Sequence, residues 1–120
     1  VKAKTAFISG HGDLSQGEFT AIYVPWIDAA IRDGITHFVV GDFKGSDFFA
    51  QIYLTGKNVV VYHMFNSPRH NAGQFPTIGG FSDDESRDTA MTEASCMDIA
   101  WVRPGKEKSG TALNLARRKK

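Results

Sequence analysis

The chain is poor in the residues that mark several protein classes. It has one cysteine, Cys96, so no internal disulfide can form and nothing points to secretion. A small, buried Cys96 is expected. No apolar run approaches the roughly 18 residues needed to cross a bilayer, and the first residues carry no signal-peptide pattern, so the expected setting is cytoplasmic, with no membrane partner. Charge of one sign is lacking as well. The 14 Lys and Arg against 13 Asp and Glu leave a formal net charge of +1, which supplies no electrostatic footprint for nucleic acid. The basic run Arg117-Arg118-Lys119-Lys120 reads as a solvated helix end. His11, His63 and His70 lack the compact spacing of metal ligands, so no metal and no cofactor is expected. Two phosphate motifs are missing too, the GxGxxG dinucleotide fingerprint and the lysine-containing GxxxxGK[ST] loop. ATP hydrolysis by the latter mechanism therefore has no support.

What is present is a globular composition and a repeated junction. The 120 residues, 42% hydrophobic and 22% charged, fit one folded domain over 1–120. An apolar run ending in a turn rich in Gly, Ser or Asp and leading into a helical segment occurs three times: at 5–12, at 38–47 and at 100–111. In a parallel sheet such junctions line one edge, where ligands bind. Free N–H groups at helix starts suit a phosphate.

Strands and helices alternate around these junctions. Strands are expected at Thr5–Ser9, Thr36–Val40, Asn58–Tyr62 and Asp98–Val102. The third is apolar on both faces, as a strand buried between helix layers must be. Ser15 and Glu18 have capping-box spacing and open a helix to Asp33, in which Pro25 forces a kink or a fresh start. Further helices are expected at Phe48–Leu54, at Asp84–Ser95 and after Gly110. The stretch His63–Ser82, with Pro68, Pro76, Gly73, Gly79 and Gly80, reads as a long functional loop. A short strand near Thr77-Ile78 is left open. The sum is an α/β fold, a three-layer Rossmann-like sandwich with a mostly parallel sheet of four or five strands in the order 3-2-1-4.

The candidate site residues follow from that edge. Ser9, Gly10 and His11 offer a hydroxyl, backbone donors and close approach, or form an ordinary tight turn. Ser109, Gly110 and Thr111 form a second anion candidate, or simply a helix cap. Gly41 and Asp42 end the second strand, where Asp42 can receive a ribose hydroxyl. Gly45 and Asp47 follow, Asp47 being equally a first-turn helix residue. Arg69, in the long loop, can clamp a phosphate. His63, just after the third strand, is expected to face the same edge. Phe75 and Phe81 either close over a base or pack the loop. Glu93 is a candidate carboxylate nucleophile or an ordinary solvated helix residue. Trp26 and Trp101 read as packing residues.

In order and spacing, Phe7-Ile8-Ser9-Gly10-His11, Val39-Val40-Gly41-Asp42-Phe43-Lys44-Gly45-Ser46-Asp47 and Ser109-Gly110-Thr111 resemble the SLOG superfamily of Rossmann-like nucleotide-binding proteins. That group includes the DNA-processing protein DprA, the LOG phosphoribohydrolases and YspA/YpsA-like proteins. The resemblance covers most of the chain. It implies binding or sensing of a nucleotide or nucleotide-derived ligand, with Ser9, Gly10, Gly41, Asp42, Gly45, Asp47, Gly110 and Thr111 at the matching positions. It also implies assembly as a homodimer or larger homo-oligomer. LOG enzymes carry a Gly-Thr-x-x-Glu element whose glutamate takes part in catalysis. Here Gly110-Thr111 is followed by Ala112, Leu113 and Asn114, so that glutamate is missing. Nucleoside deoxyribosyltransferases and related N-glycosidases are similar in fold and use a glutamate beside an aspartate. That second resemblance implies the alternative function, an N-glycosidic hydrolase or transferase, with Glu93 as nucleophile and Asp42 or Asp47 orienting the leaving group.

Overall fold

The structure, a computed structural model, describes residues 2–119. Five strands form one sheet, β1 (Thr5–Ser9), β2 (His37–Val40), β3 (Asn58–Met64), β4 (Thr77–Phe81) and β5 (Met97–Ala100), in the order β4-β3-β2-β1-β5. Every pairing is parallel. The expected order is kept, with the expected fourth strand standing as β5 and one edge strand added outside β3. That strand, β4, takes up part of the expected long loop. Its sequence, Thr-Ile-Gly-Gly-Phe, is interrupted by two glycines, which are disfavoured in strands, and its residues are mostly exposed, so no alternation betrays it.

Strand alternation sorts the core onto two faces. Ala6, Ile8, Phe38, Val40, Val59 and Val61 point to one side, under Phe19, Tyr23, Ile27, Ala50 and Leu54. Phe7, Val39 and Tyr62 point to the other, under Met91. Fully burying side chains of this kind stabilises by about 1.5–3 kcal/mol each. The first face is covered by α1 (Gln16–Glu18), a π-helical segment (Phe19–Tyr23), α2 (Val24–Arg32) and α3 (Ser46–Tyr53). The second is covered by α4 (Asp84–Glu93), against which α5 (Gly110–Arg118) packs. No helix among the described residues is long and apolar enough to cross a membrane.

Local chemistry explains the boundaries. Ser15 and Glu18 form the full capping box, each side chain accepting the other's backbone N–H at 3.0 Å. Pro25 neither breaks the helix nor kinks it alone. Its ring would meet the Ala21 carbonyl in a regular α-helix, and a π-helical stretch, closed by the Val24 N–H on the Phe19 carbonyl, precedes it. Pro25 then falls in the first turn of α2. Asp83 and Ser109 cap α4 and α5 with their side chains.

Several expectations change. Cys96 is exposed, with its thiol 3.3 Å from the Ala3 carbonyl. The basic end is not simply solvated. Arg118 donates to the Thr92 and Ser95 carbonyls and pairs with Asp98 at 3.0 Å, and Arg117 donates to Asn114; Lys120 lies outside the described residues. The loop between β3 and β4 is held by structural bonds: Gln51 accepts from Ala72 and donates to His70, and Asn71 brackets Phe75. Phe75 joins the core and Phe81 stacks on Tyr62, so both pack.

Candidate functional site

Strand order reverses at β1, which has β2 on one side and β5 on the other. A crevice at the carboxyl ends of these strands is the expected binding place in an open α/β sheet. Tyr23 opens it. The register pairs Ser9 with Ala100, so the next ladder bond would run from the Trp101 N–H to the Ser9 carbonyl. The buried Tyr23 hydroxyl takes that place, donating to Ser9 at 2.7 Å and accepting from Trp101 at 3.0 Å. The pairing of β1 with β5 ends here.

The turn after β1 is pressed onto the start of α3. Gly45 has φ +72, and a Cβ there would lie 2.5 Å from the backbone oxygens of His11 and Gly12. The His11 carbonyl also accepts the Ser46 N–H. Only glycine fits both the backbone angle and the contact. The crevice that results encloses about 230 Å³, below the roughly 300–1,000 Å³ of drug-sized pockets. It has room for a sugar phosphate or part of a mononucleotide.

Its two sides differ in chemistry. The end of β1 and the turn after it supply Ser9, Gly10, His11 and Gly12, and the start of α5 supplies Ser109, Gly110 and Thr111. In α5 the Ser109 hydroxyl takes the Ala112 N–H, and first-turn N–H groups have no acceptor within the helix. The Ser9 hydroxyl is buried and has no hydrogen-bond partner in the protein. A buried hydroxyl of this kind costs about 1–3 kcal/mol unless something fills its valence. His11 receives the Arg103 N–H on Nε2 at 2.8 Å, so its neutral ring carries the proton on Nδ1. Burial, helped by Arg103 and Lys106 and opposed by Asp13 and Glu18, keeps its pKa below the ordinary value.

The β2 side and the start of α4 supply carboxylates. Asp47, Asp84 and Asp88 line the crevice together with Arg87. Burial pushes the Asp47 carboxyl up to about 7, against the pull of Arg87 and of the Phe43 N–H that it accepts at 3.1 Å. Asp88 is also raised by burial, against Arg87 and a hydrogen bond from Asn114. Arg87 is itself buried and reaches Asp42 at 3.1 Å, Asp84 at 3.2 Å and Asp88 at 3.1 Å. A carboxyl poised near neutrality in a cleft is a group suited to proton transfer or to recognising a hydroxyl.

Of the residues singled out in the sequence, Ser9, Gly10, His11, Gly41, Asp47, Ser109, Gly110 and Thr111 come together on the lining. Gly45 stands behind it as the contact that shapes the turn. Asp42 does not line the crevice. It is 1% exposed and held by Arg69 and Arg87. Burial alone would raise its pKa, but the Arg69 bonds and both guanidinium charges bring it below the usual value. Arg69 is correspondingly spent on Asp42, through its side chain at 2.9 and 3.2 Å and its backbone N–H at 2.8 Å, and is not on the lining. His63 is buried beneath Gly79. Glu93 is the last residue of α4, exposed, and outside the lining, because the helix enters the crevice by its opposite end.

Asp84, Arg87, Asp88, Asn114 and Phe43 also line the crevice, and none was singled out for a role there. The first three fall with Met91 at i, i+3, i+4 and i+7, the spacing of one helix face, which was legible. Asn114, 3% exposed, lies one turn after Thr111 on the same face of α5. It occupies the place where the Gly-Thr-x-x-Glu element has its glutamate. Among the described residues no cluster of His, Cys, Asp and Glu is arranged to hold a metal ion. Comparison with protein-family models, with curated proteins and with solved structures finds no match to this chain.

Proposed function

We propose that the crevice binds a nucleotide or a nucleotide-derived small molecule, in the manner of the SLOG proteins that the sequence resembles. The observation that carries this reading is the partnerless, buried Ser9 hydroxyl beside the start of α5. A phosphate there gains a hydroxyl donor from Ser9 and N–H donors from the first turn of α5, with the helix dipole in the favourable sense. Sugar hydroxyls then fall toward Asp88 and toward Asp47, whose carboxyl, pushed up to about 7, can donate as well as accept. With this reading go a cytoplasmic setting and assembly into a homodimer or larger homo-oligomer, which light scattering on the purified chain tests.

The test of the site is calorimetric titration with AMP, adenosine and ribose 5-phosphate. The phosphorylated ligands bind more tightly than adenosine, and Ser9→Ala and Thr111→Val weaken them more than they weaken adenosine. Equal losses for the nucleoside and its phosphate would remove these residues from a phosphate contact. No binding by any of the three would end the reading.

One observation favours a second reading, hydrolysis or transfer at an N-glycosidic bond: Asp47 is poised near 7 inside the crevice. In that case the chemistry falls to Asp47 or Asp88 and not to Glu93. Chromatography for free base after incubation with nucleotides tests it. Absence of release would discard it, and release that survives Asp47→Asn and Asp88→Asn unchanged would remove these two acids from the chemistry.

A further inference from the structure

We infer that Phe43 is the platform on which the ligand's base stacks, so that the crevice is built for a base-bearing mononucleotide and not for a bare sugar phosphate. This rests on the reading of the crevice given above. Of the large apolar side chains left exposed among the described residues, Phe43, at 40% exposure, is the one that lines this crevice. Phe7 and Met91 also line it but are buried. The exposed part of this ring is apolar surface at the crevice that the protein itself leaves uncovered.

The ring is also held in place. Its backbone N–H is bound to the Asp47 carboxylate at 3.1 Å. Its edge lies against Gly12, where a Cβ would collide with Cε2. The Arg69 guanidinium lies over the ring, 4.8 Å from its centre, and is itself fixed by its paired bonds to the buried Asp42; the Lys44 ammonium also lies over the ring at 5.8 Å, so a base is offered the part of the ring that these cations leave open. Thus the two residues expected to touch ligand, Asp42 and Arg69, brace the aromatic that follows Asp42 in sequence. A fixed ring loses little freedom when a base stacks on it. Contact with Gly12 places Phe43 beside the turn proposed to hold phosphate, within the span of one nucleotide. Stacking accepts any base, so the inference fixes a planar base and not its identity.

The experiment is calorimetric titration of AMP, CMP and ribose 5-phosphate into the wild-type protein, Phe43→Ala, Phe43→Leu and Phe43→Tyr. Loss of a stacking ring by alanine substitution corresponds to a weakening on the order of 5- to 150-fold. The expected result is that loss for AMP and CMP in Phe43→Ala and a similar direction in Phe43→Leu, which keeps the bulk but not the ring. Phe43→Tyr retains nucleotide affinity, and ribose 5-phosphate binds all four proteins alike. Two results would overturn the platform while leaving the phosphate site standing: ribose 5-phosphate binding the wild type as tightly as AMP, or Phe43→Ala weakening both ligand types equally. Failure of every ligand on the wild type would overturn the platform and the crevice reading together.

Discussion

Replacing Asp47 by asparagine should make the protein more stable in neutral and alkaline solution. Burial raises the Asp47 carboxyl from 3.8 to about 7. In the native state it therefore keeps a proton that the unfolded chain has released. Between about pH 4 and 7 the folded form binds more protons than the unfolded form, so stability falls as pH rises through that window and levels off above it. A rise of about 3 pH units at about 1.36 kcal/mol each is roughly 4 kcal/mol. Asp47→Asn removes that penalty, while the amide oxygen can still accept the Phe43 N–H. Allowing for an amide N–H₂ that must find its own acceptors, the variant should exceed the wild type by about 2–4 kcal/mol at pH 8 and match it near pH 4. Urea denaturation at intervals from pH 4 to 8 reads this directly. Other groups contribute their own slopes. Asp88, also raised, loses stability with rising pH, and His11, lowered, gains it. His11 is common to the two proteins and cancels in the difference, whereas Asp88, which repels an ionised Asp47, cancels only in part. Parallel pH profiles for wild type and Asp47→Asn would refute the reasoning.

Three further outcomes follow from the same contacts. Tyr23→Phe leaves the Ser9 carbonyl and the Trp101 N–H without their shared partner and should cost about 1–3 kcal/mol in chemical denaturation; an unchanged midpoint would show that the strand ends close on each other instead. Gly45→Ala combines a backbone angle of φ +72 with a Cβ 2.5 Å from two backbone oxygens and should lower stability by about 2 kcal/mol or more, with loss of AMP binding as the turn after β1 shifts. A fully folded, binding-competent alanine variant would count against the close approach. Arg87→Met removes the cation shared by Asp42, Asp84 and Asp88; it should cost about 3–5 kcal/mol near neutral pH and much less near pH 4, where protonation relieves the uncompensated charge. A loss independent of pH would assign Arg87 a packing role alone.

Much of this architecture was readable because it is written locally. The capping box at Ser15 and Glu18 is settled by residues three apart. The alternation of Ala6, Phe7 and Ile8, or of Val59, Val60 and Val61, gives a strand apolar on both faces and hence a layered parallel fold. The glycine-bearing turns after β1 and β2 and the Ser109 cap before α5 likewise announce themselves. From these the crossover rules put β5 beside β1 and the reversal at β1. Strand β4, left open at Thr77-Ile78, was undecided because two glycines and an exposed face leave no period to read, and it is defined by its pairing with β3. The helix face Asp84-Arg87-Asp88-Met91 was present in the spacing. Its meaning depended on which end of α4 reaches the strand edge.

The carboxylates divide the two kinds of information most plainly. From the sequence, Asp42 at a strand end and Asp47 at a helix start were both candidate ligand residues, Asp47 being also readable as a first-turn helix residue, and Glu93 was a candidate nucleophile or a solvated helix residue. In the folded chain Asp42 is buried under Arg69 and Arg87, Asp47 faces the crevice, and Glu93 lies in solvent at the far end of α4. Neighbours within a few residues set helix starts, turn geometry and strand faces, so the sequence alone determined the layered α/β fold and the junctions that line the carboxyl edge of its sheet. The charge and reach of an acid depend on what folding brings near it and how far water is excluded. Arg69 and Arg87 come to Asp42 from 27 and 45 residues away, and only the tertiary structure decided which acid they neutralise and which they leave to the crevice.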